Sequence, residues 1–327
     1  MAREIQSSRP EGDPRPPLRV VEVGPPAATA KKAKPVSLLS TDSAEDAAVC
    51  VFSTALDHFE ANLPVFRAIE SPESVHQMRV GLRRLRAAIG LFRNALSGPA
   101  LEAARARARE IAGILGHARN WDVFQEMLEA GPARALGDAP SYCSLLDALE
   151  FKRAGAYRTA RETIEEAGTA AFLGAFRKAI AERDWTAAPD ATEEGSASEF
   201  AAAALTKLRK RVLKKSKGLA RRTPEERHEL RIALKKARYG AEFFESLFPQ
   251  ADAEAFSAAL AKMQDGLGAF NDMETANALL DEIDARSEAA LKASGFVRGW
   301  FAHAAQAGVA HAKKSEKRLR KLEPFWE

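Results

Sequence analysis

The segment Val75–Leu96, VHQMRVGLRRLRAAIGLFRNAL, returns 152 residues later as Arg227–Phe248, RHELRIALKKARYGAEFFESLF. At that constant offset His76 falls on His228, Arg79 on Arg231, Leu82 on Leu234, Arg86 on Arg238 and Phe92 on Phe244. Arg83 and Arg84 fall on Lys235 and Lys236, and Leu115-Gly116 falls on Leu267-Gly268 without a gap. A repeat this regular means one structural unit built twice. The two copies share more than apolar positions. They also share histidine and positive charge, which points to a polyanionic ligand.

The repeat reads as a helix. At about 100° per residue, Met78, Leu82, Leu85, Ile89, Phe92 and Leu96 form one apolar stripe that must face a core. His76, Arg79, Arg83 and Arg86 form a second stripe beside it. The matching stripe in the second copy is His228, Arg231, Lys235 and Arg238, alongside Leu230, Leu234, Phe244 and Phe248. Bases at the edge of a core stripe line a groove between helices. Between Arg79 and Arg86 no acid stands three or four residues away to neutralise them within the helix. Like charges on one face cost stability, and here that cost is met twice. A third basic stretch, Lys207–Arg222, holds nine bases and no acid. Lys207, Lys210, Arg211 and Lys214 recur on one of its sides, with no equivalent in the first half.

Helical segments are expected near 100–116, 120–130, 141–167 and 169–184 in the first half. The second half reads as 199–220, 224–247, 252–268, 271–292 and 295–320. Ser71-Pro72-Glu73 and Thr223-Pro224-Glu225 are matched helix starts, and Glu226 can close a capping box with Thr223. Residues 1–40 hold seven of the sixteen prolines, so a disordered, mildly basic tail is expected over 1–42. The domain is then 43–327, with halves at about 43–185 and 199–327 and a polar linker at 186–198. Strand signals are nearly absent, and the fold expected is all-α, two similar helical bundles.

Hydrophobic residues make up 46% of the 327, enough for a packed core. Cys50 and Cys143 stand far apart and outside any CxxC pair. That argues against a disulfide framework or zinc site and suits a reducing cytoplasm. No apolar run reaches a membrane span, and the first residues lack the apolar core of a secretory signal.

The motifs VHQMRVGLRRLR (Val75–Arg86) and HELRIALKKARY (His228–Tyr239), with LGHARNWDV (Leu115–Val123), LGAFND (Leu267–Asp272) and Gly299-Trp300, resemble those of the CHAD family, the conserved histidine α-helical domain. The resemblance runs from about residue 43 to the end. It implies two four-helix bundles related by a pseudo-twofold axis. It also implies a basic surface or channel between them that binds inorganic polyphosphate without catalysis, at polyphosphate granules. The family's basic positions fall on His76, Arg79, Arg83, Arg84 and Arg86, then on His228, Arg231, Lys235, Lys236 and Arg238. Arg119-Asn120 stands where an Arg-Asp pair is usual. The forty N-terminal residues are too short for the triphosphate-tunnel domain that some relatives carry, so triphosphatase activity is not expected.

Two other functions compete. A nucleic-acid backbone would engage the same lysines and arginines. Single-strand binders add stacking aromatics, however, and only Tyr239 stands near the basic stripes. Glu73-x-x-His76 and Glu225-x-x-His228 resemble half-sites of di-iron bundles, as a metal-dependent phosphohydrolase would need. Helix capping accounts for both glutamates, and an arginine three residues after each histidine opposes a cation. The expectation is therefore no catalytic residue, no metal and no cofactor, with inorganic polyphosphate or another polyanion as partner and no membrane.

Overall fold

The computed structural model describes residues 29–69, 71–136, 140–187, 195–283, 288–322 and 324–326. The chain is all-α. The first half holds α1 (Ala44–Glu60), α2 (Leu63–Ala68), α3 (Pro72–Phe92), α4 (Pro99–Ala130), α5 (Pro132–Leu136), α6 (Pro140–Glu165) and α7 (Ala167–Glu182). The second holds α8 (Ala197–Ser216), α9 (Pro224–Phe244), α10 (Gln250–Gly266), α11 (Gly268–Glu282) and α12 (Glu288–Lys321). Among the described residues the extended pairing is slight. The two-residue strands β1 (Leu96–Ser97) and β2 (Thr186–Ala187) pair antiparallel, and Ser43 bridges Ser196.

The repeat holds in three dimensions. α3 and α9 begin and end at equivalent residues. α4 is matched by α10 and α11 together, because the second copy interrupts the helix at Leu267, which ends α10 and precedes α11. The expected break between 116 and 120 does not occur: His117, Ala118 and Arg119 continue α4 unbroken, since nothing there lacks a backbone donor or favours a turn. Thr223 caps α9 in the expected capping box with Glu226. Ser71 has the extended N-cap backbone but no side-chain cap; instead Ser74 donates to its carbonyl at 2.7 Å.

α3 and α9 cross at the centre, where repeat mates touch. Phe92 meets Phe244 edge-on with ring centroids 6.0 Å apart, and Phe200 of α8 stacks on Phe92 at 4.9 Å. Edge and offset ring pairs of this kind add to simple area burial. The buried apolar residues of both halves form one continuous cluster, so the halves share a core rather than forming separate domains.

The expected tail over 1–42 divides. Residues 1–28 lie outside the described residues. Residues 29–42 carry no helix, but they form a strap laid across both halves, so the folded domain begins before residue 43. Val36 and Leu38 are buried, because an apolar pair in a polar stretch gains by docking on the core. The Lys31 amide donates to Asn62 Oδ1 at 2.8 Å, and the Lys31 carbonyl accepts from Asn62 Nδ2 at 2.9 Å and from His58 Nε2 at 3.1 Å. At the other end the Leu38 amide donates to Ser246 Oγ just after α9. Of the expected linker at 186–198, Thr186 and Ala187 pair with the first half, residues 188–194 lie outside the described residues, and Ser196 caps α8.

Leu38→Ala should therefore destabilise the protein by about 2–4 kcal/mol, the usual result of emptying a buried leucine site. Urea denaturation checks this; an unchanged midpoint would mean that the strap does not pack in solution.

Candidate functional site

Where α3 and α9 cross, they enclose a cavity of about 690 Å³. α3 contributes His76, Arg79, Arg83 and Arg84, and α9 contributes Arg231, Lys235, Arg238, Tyr239 and Glu242. α4 and α11 wall it with equivalent faces, Asn120 and Val123 on one side and Asp272 and Thr275 on the other. Lys32 and Ala33 of the strap stand at its edge.

The Leu-Gly pairs hold the innermost arginines in place. A Cβ on Gly116 would stand 3.0 Å from Arg79 Nε, so the glycine gives that guanidinium room to lie against α4. In the second half the helix is interrupted at Leu267, and Arg231 Nη1 donates to the Leu267 carbonyl at 3.2 Å. One motif thus anchors Arg79 and Arg231 by two different contacts.

These cations stand close together with little negative charge. Burial, and then the charges of Arg231, Arg83, Arg79 and Arg238, push Lys235 down to about 8. Burial and the charge of Arg83 push Arg79 down to about 10. Arg231 is lowered by burial, with Asp272 working against the shift. His76 is lowered mainly by burial; Glu73 raises it, while Arg119, Arg83 and Arg79 lower it further. Burial in turn raises Asp272 against the pull of Arg231. Arg83 donates its Nε–H to the Tyr239 hydroxyl and lies over that ring at 5.6 Å. The cavity gathers forked and point-charge donors, of which Arg84 and Arg238 are paired with Glu242 and Arg231 is opposed by Asp272.

Not every basic residue of the repeat reaches it equally. Arg84 is buried, pairs with Glu242 at 2.8 Å and lies over Phe243. Arg238 reaches the same carboxylate at 3.2 Å. The intrahelical spacing of α3 offered Arg84 no acid; α9 supplies one. Arg86 and Lys236 are not in the cavity lining but on a neighbouring flank with Arg105 and Arg109 of α4 and Arg211 of α8. Lys207, Lys210, Arg211 and Lys214 are exposed along α8, and Lys207 lines a separate groove. His228 is exposed at the start of α9 and does not line the cavity, unlike His76. Glu73 accepts from Gln77 Nε2 at 2.6 Å, and the exposed Glu225 is lowered by hydrogen bonds at the start of α9. Among the described residues no group of three or more His, Cys, Asp or Glu is placed to hold a metal.

Sequence reasoning missed Glu242 as the acid of the crossing, Tyr239 as a partner of Arg83, and Arg119. The Arg119 guanidinium bonds Glu126 at 2.9 Å and adds positive charge beside His76 and Arg79. Extending the 152-residue offset pairs Asn120 with Asp272 and Gly90 with Glu242, which would have flagged both acids as departures from symmetry.

Comparisons with known proteins agree with this architecture. A family model described as the CHAD domain matches residues 50–281. The crystal structure of the CHAD domain from the plant Ricinus communis is similar at 27% identity and a TM-score of 0.75, covering 90% of this chain and 99% of that one. PptA from Streptomyces chartreusis is similar in fold at 17% identity and a TM-score of 0.62, covering 84% and 99%. A search of curated proteins finds no match.

The depressed lysine makes a stability prediction. Between about 8 and the ordinary lysine range the folded chain binds fewer protons at Lys235 than the unfolded chain. This group therefore penalises the fold fully below about pH 8, and the penalty fades as pH rises through that window. Lys235→Met should stabilise the ligand-free protein by on the order of 1 kcal/mol at pH 7, with the gain shrinking at higher pH. Paired thermal melts across that range test it; a mutant less stable at pH 7 would show that the charge is already balanced.

Proposed function

The chain belongs to the CHAD family, and on that footing we propose that it binds inorganic polyphosphate non-catalytically in the cavity between its two halves. The observation that carries this reading is the convergence of Arg79, Arg83, Arg231, Lys235 and Arg238 on one cavity, where burial and the neighbouring arginines push Lys235 down to about 8. A chain of phosphates supplies negative charge to the cations that line the cavity. Guanidinium groups meet its oxygens with paired hydrogen bonds, and the lysine acts as a point charge.

A nucleic-acid backbone has similar charge, but base stacking would need an available aromatic surface. Tyr239 is 5% exposed, stacks on Phe243 and carries Arg83 over its ring, so it has no free face to give. Competition between polyphosphate and single-stranded RNA distinguishes the two ligands.

Hydrolysis of a phosphoanhydride would call for a group that positions and activates water. The carboxylates lining the cavity are Glu242, bonded to two arginines, and Asp272, raised by burial beside Arg231. Neither stands beside His76 as a base pair would. Incubation with long-chain polyphosphate, triphosphate or ATP, with and without divalent metal, should release no phosphate above control. Steady release that is lost on replacing His76 would overturn the non-catalytic reading. Residence in the cytoplasm at polyphosphate granules follows as part of the same proposal. No helix among the described residues is long and apolar enough to cross a membrane.

Binding should weaken steeply as salt rises, since a gripped polyanion releases its counterions. Arg83→Gln combined with Lys235→Gln should weaken it by about a hundredfold, or roughly 3 kcal/mol, with helicity retained. Because a bound anion raises the lowered pKa of Lys235, complex formation near pH 9 should take up protons, and affinity should fall as pH rises above about 8. Calorimetry in buffers of different ionisation enthalpy reads the uptake. Binding without proton uptake would place the phosphates away from Lys235.

A further inference from the structure

The two flanks of the cavity are not equivalent, although the repeat makes their backbones so. On one flank Glu242 neutralises Arg84 and Arg238. The repeat mates of these residues are Gly90, Lys236 and Arg86. On that second flank the place of the carboxylate is therefore taken by a glycine, and its two bases lose their anion. The strap adds to the difference. It crosses the first flank between its anchors at His58 and Ser246, with Lys32 and Ala33 at the cavity edge.

The second flank is not simply a solvated surface. Lys236 stands among Arg211, Arg105, Arg93 and Arg86, drawn from three other stretches of the chain. Arg86 in turn feels Arg109 and Arg105. The leading charges that act on these two side chains are positive, and burial together with that repulsion lowers both. Of the acids on the adjoining helices, Glu102 reaches Arg105 at 3.7 Å, Glu199 is folded into the capping box of α8, and Glu229 pairs with Lys215. Gly90 itself opens on a groove of about 360 Å³ bordered by Asn94, Phe200, Lys207 and the capping Glu199.

We infer that this flank is an extension site for the bound polyanion, through which a long phosphate chain leaves the cavity on one side only. The inference rests on the polyphosphate reading above and deepens it. Short chains fill the cavity and do not need the flank. Long chains continue past Gly90 and gain the contacts of Arg86, Lys236 and their neighbours. The opposite exit is closed to them by Glu242 and the strap. The arrangement makes the site directional and gives it a preference for length.

Gly90 provides the test. A Cβ there would meet nothing within 4 Å, and glutamate favours a helix interior over glycine, so Gly90→Glu should fold. It restores on the open flank the carboxylate that Glu242 provides on the closed one. Gly90→Gln has the same bulk without the charge. Tripolyphosphate and long-chain polyphosphate are titrated against the parent and both variants. The expected result is that G90E weakens long-chain binding by about tenfold, about 1.4 kcal/mol, with a shallower salt dependence. Its tripolyphosphate affinity should stay at the parent value, and G90Q should match the parent for both ligands. Unchanged long-chain binding in G90E overturns the inference. So does an equal loss for both ligands, or an equal loss in G90Q, since either removes the distinction of length or of charge. If the parent binds neither ligand, the polyphosphate reading itself fails and the extension site with it.

Discussion

Phe92 and Phe244 are one position of the repeat used twice, and they touch. That contact fixes the crossing of α3 and α9, and the rest of the arrangement depends on the crossing. Each helix has a narrow apolar stripe with bases along its edge. Once the stripes are buried against each other and their bundles, the edges are forced to share the same space. The basic cavity is therefore a by-product of core packing. The aromatic contact acts together with the packing of α6 on α12 and of α1 on α8, which also join the two halves.

Bringing like charges together this way works against the fold. Burial removes the solvent that would screen them, and Lys235 and Arg79 respond with lowered proton affinity. The structure offsets part of the strain locally. Arg83 turns to the Tyr239 hydroxyl, Arg231 to the Leu267 carbonyl, and Arg84 to Glu242. What is left uncompensated marks where a ligand can act. An acid beside Lys235 would stabilise the fold, and it would also occupy the place that the proposed anion would take. The same reasoning separates Glu242, which seals, from Gly90, which leaves its two bases open.

Much of the fold was legible because periodicity and repetition are local properties. The stripes of α3 and α9, the capping box at Thr223 and the all-α class follow from residue spacing alone. The strap was not legible. Val36 and Leu38 are two apolar residues in a proline-rich stretch without period, and only the surface they dock on makes them core. The continuity of α4 through residues 117–119 was likewise hidden, because a glycine inside a helix reads as a break until its neighbour Arg79 is seen to need the room.

The sequence by itself determined that one basic helix is built twice, which residues must face a core, and that the bases beside them lack acids in their own helix. Those conclusions need only the pitch of a helix and the chemistry of side chains. The tertiary structure decided which bases converge. It put His76 at the cavity and His228 outside it, drew Glu242 across to Arg84, and divided the repeat's cations between an enclosed site and an open flank. The physical reason is distance. Charge interactions depend on separation and burial, and residues some 150 positions apart along the chain acquire either only when the crossing brings them together.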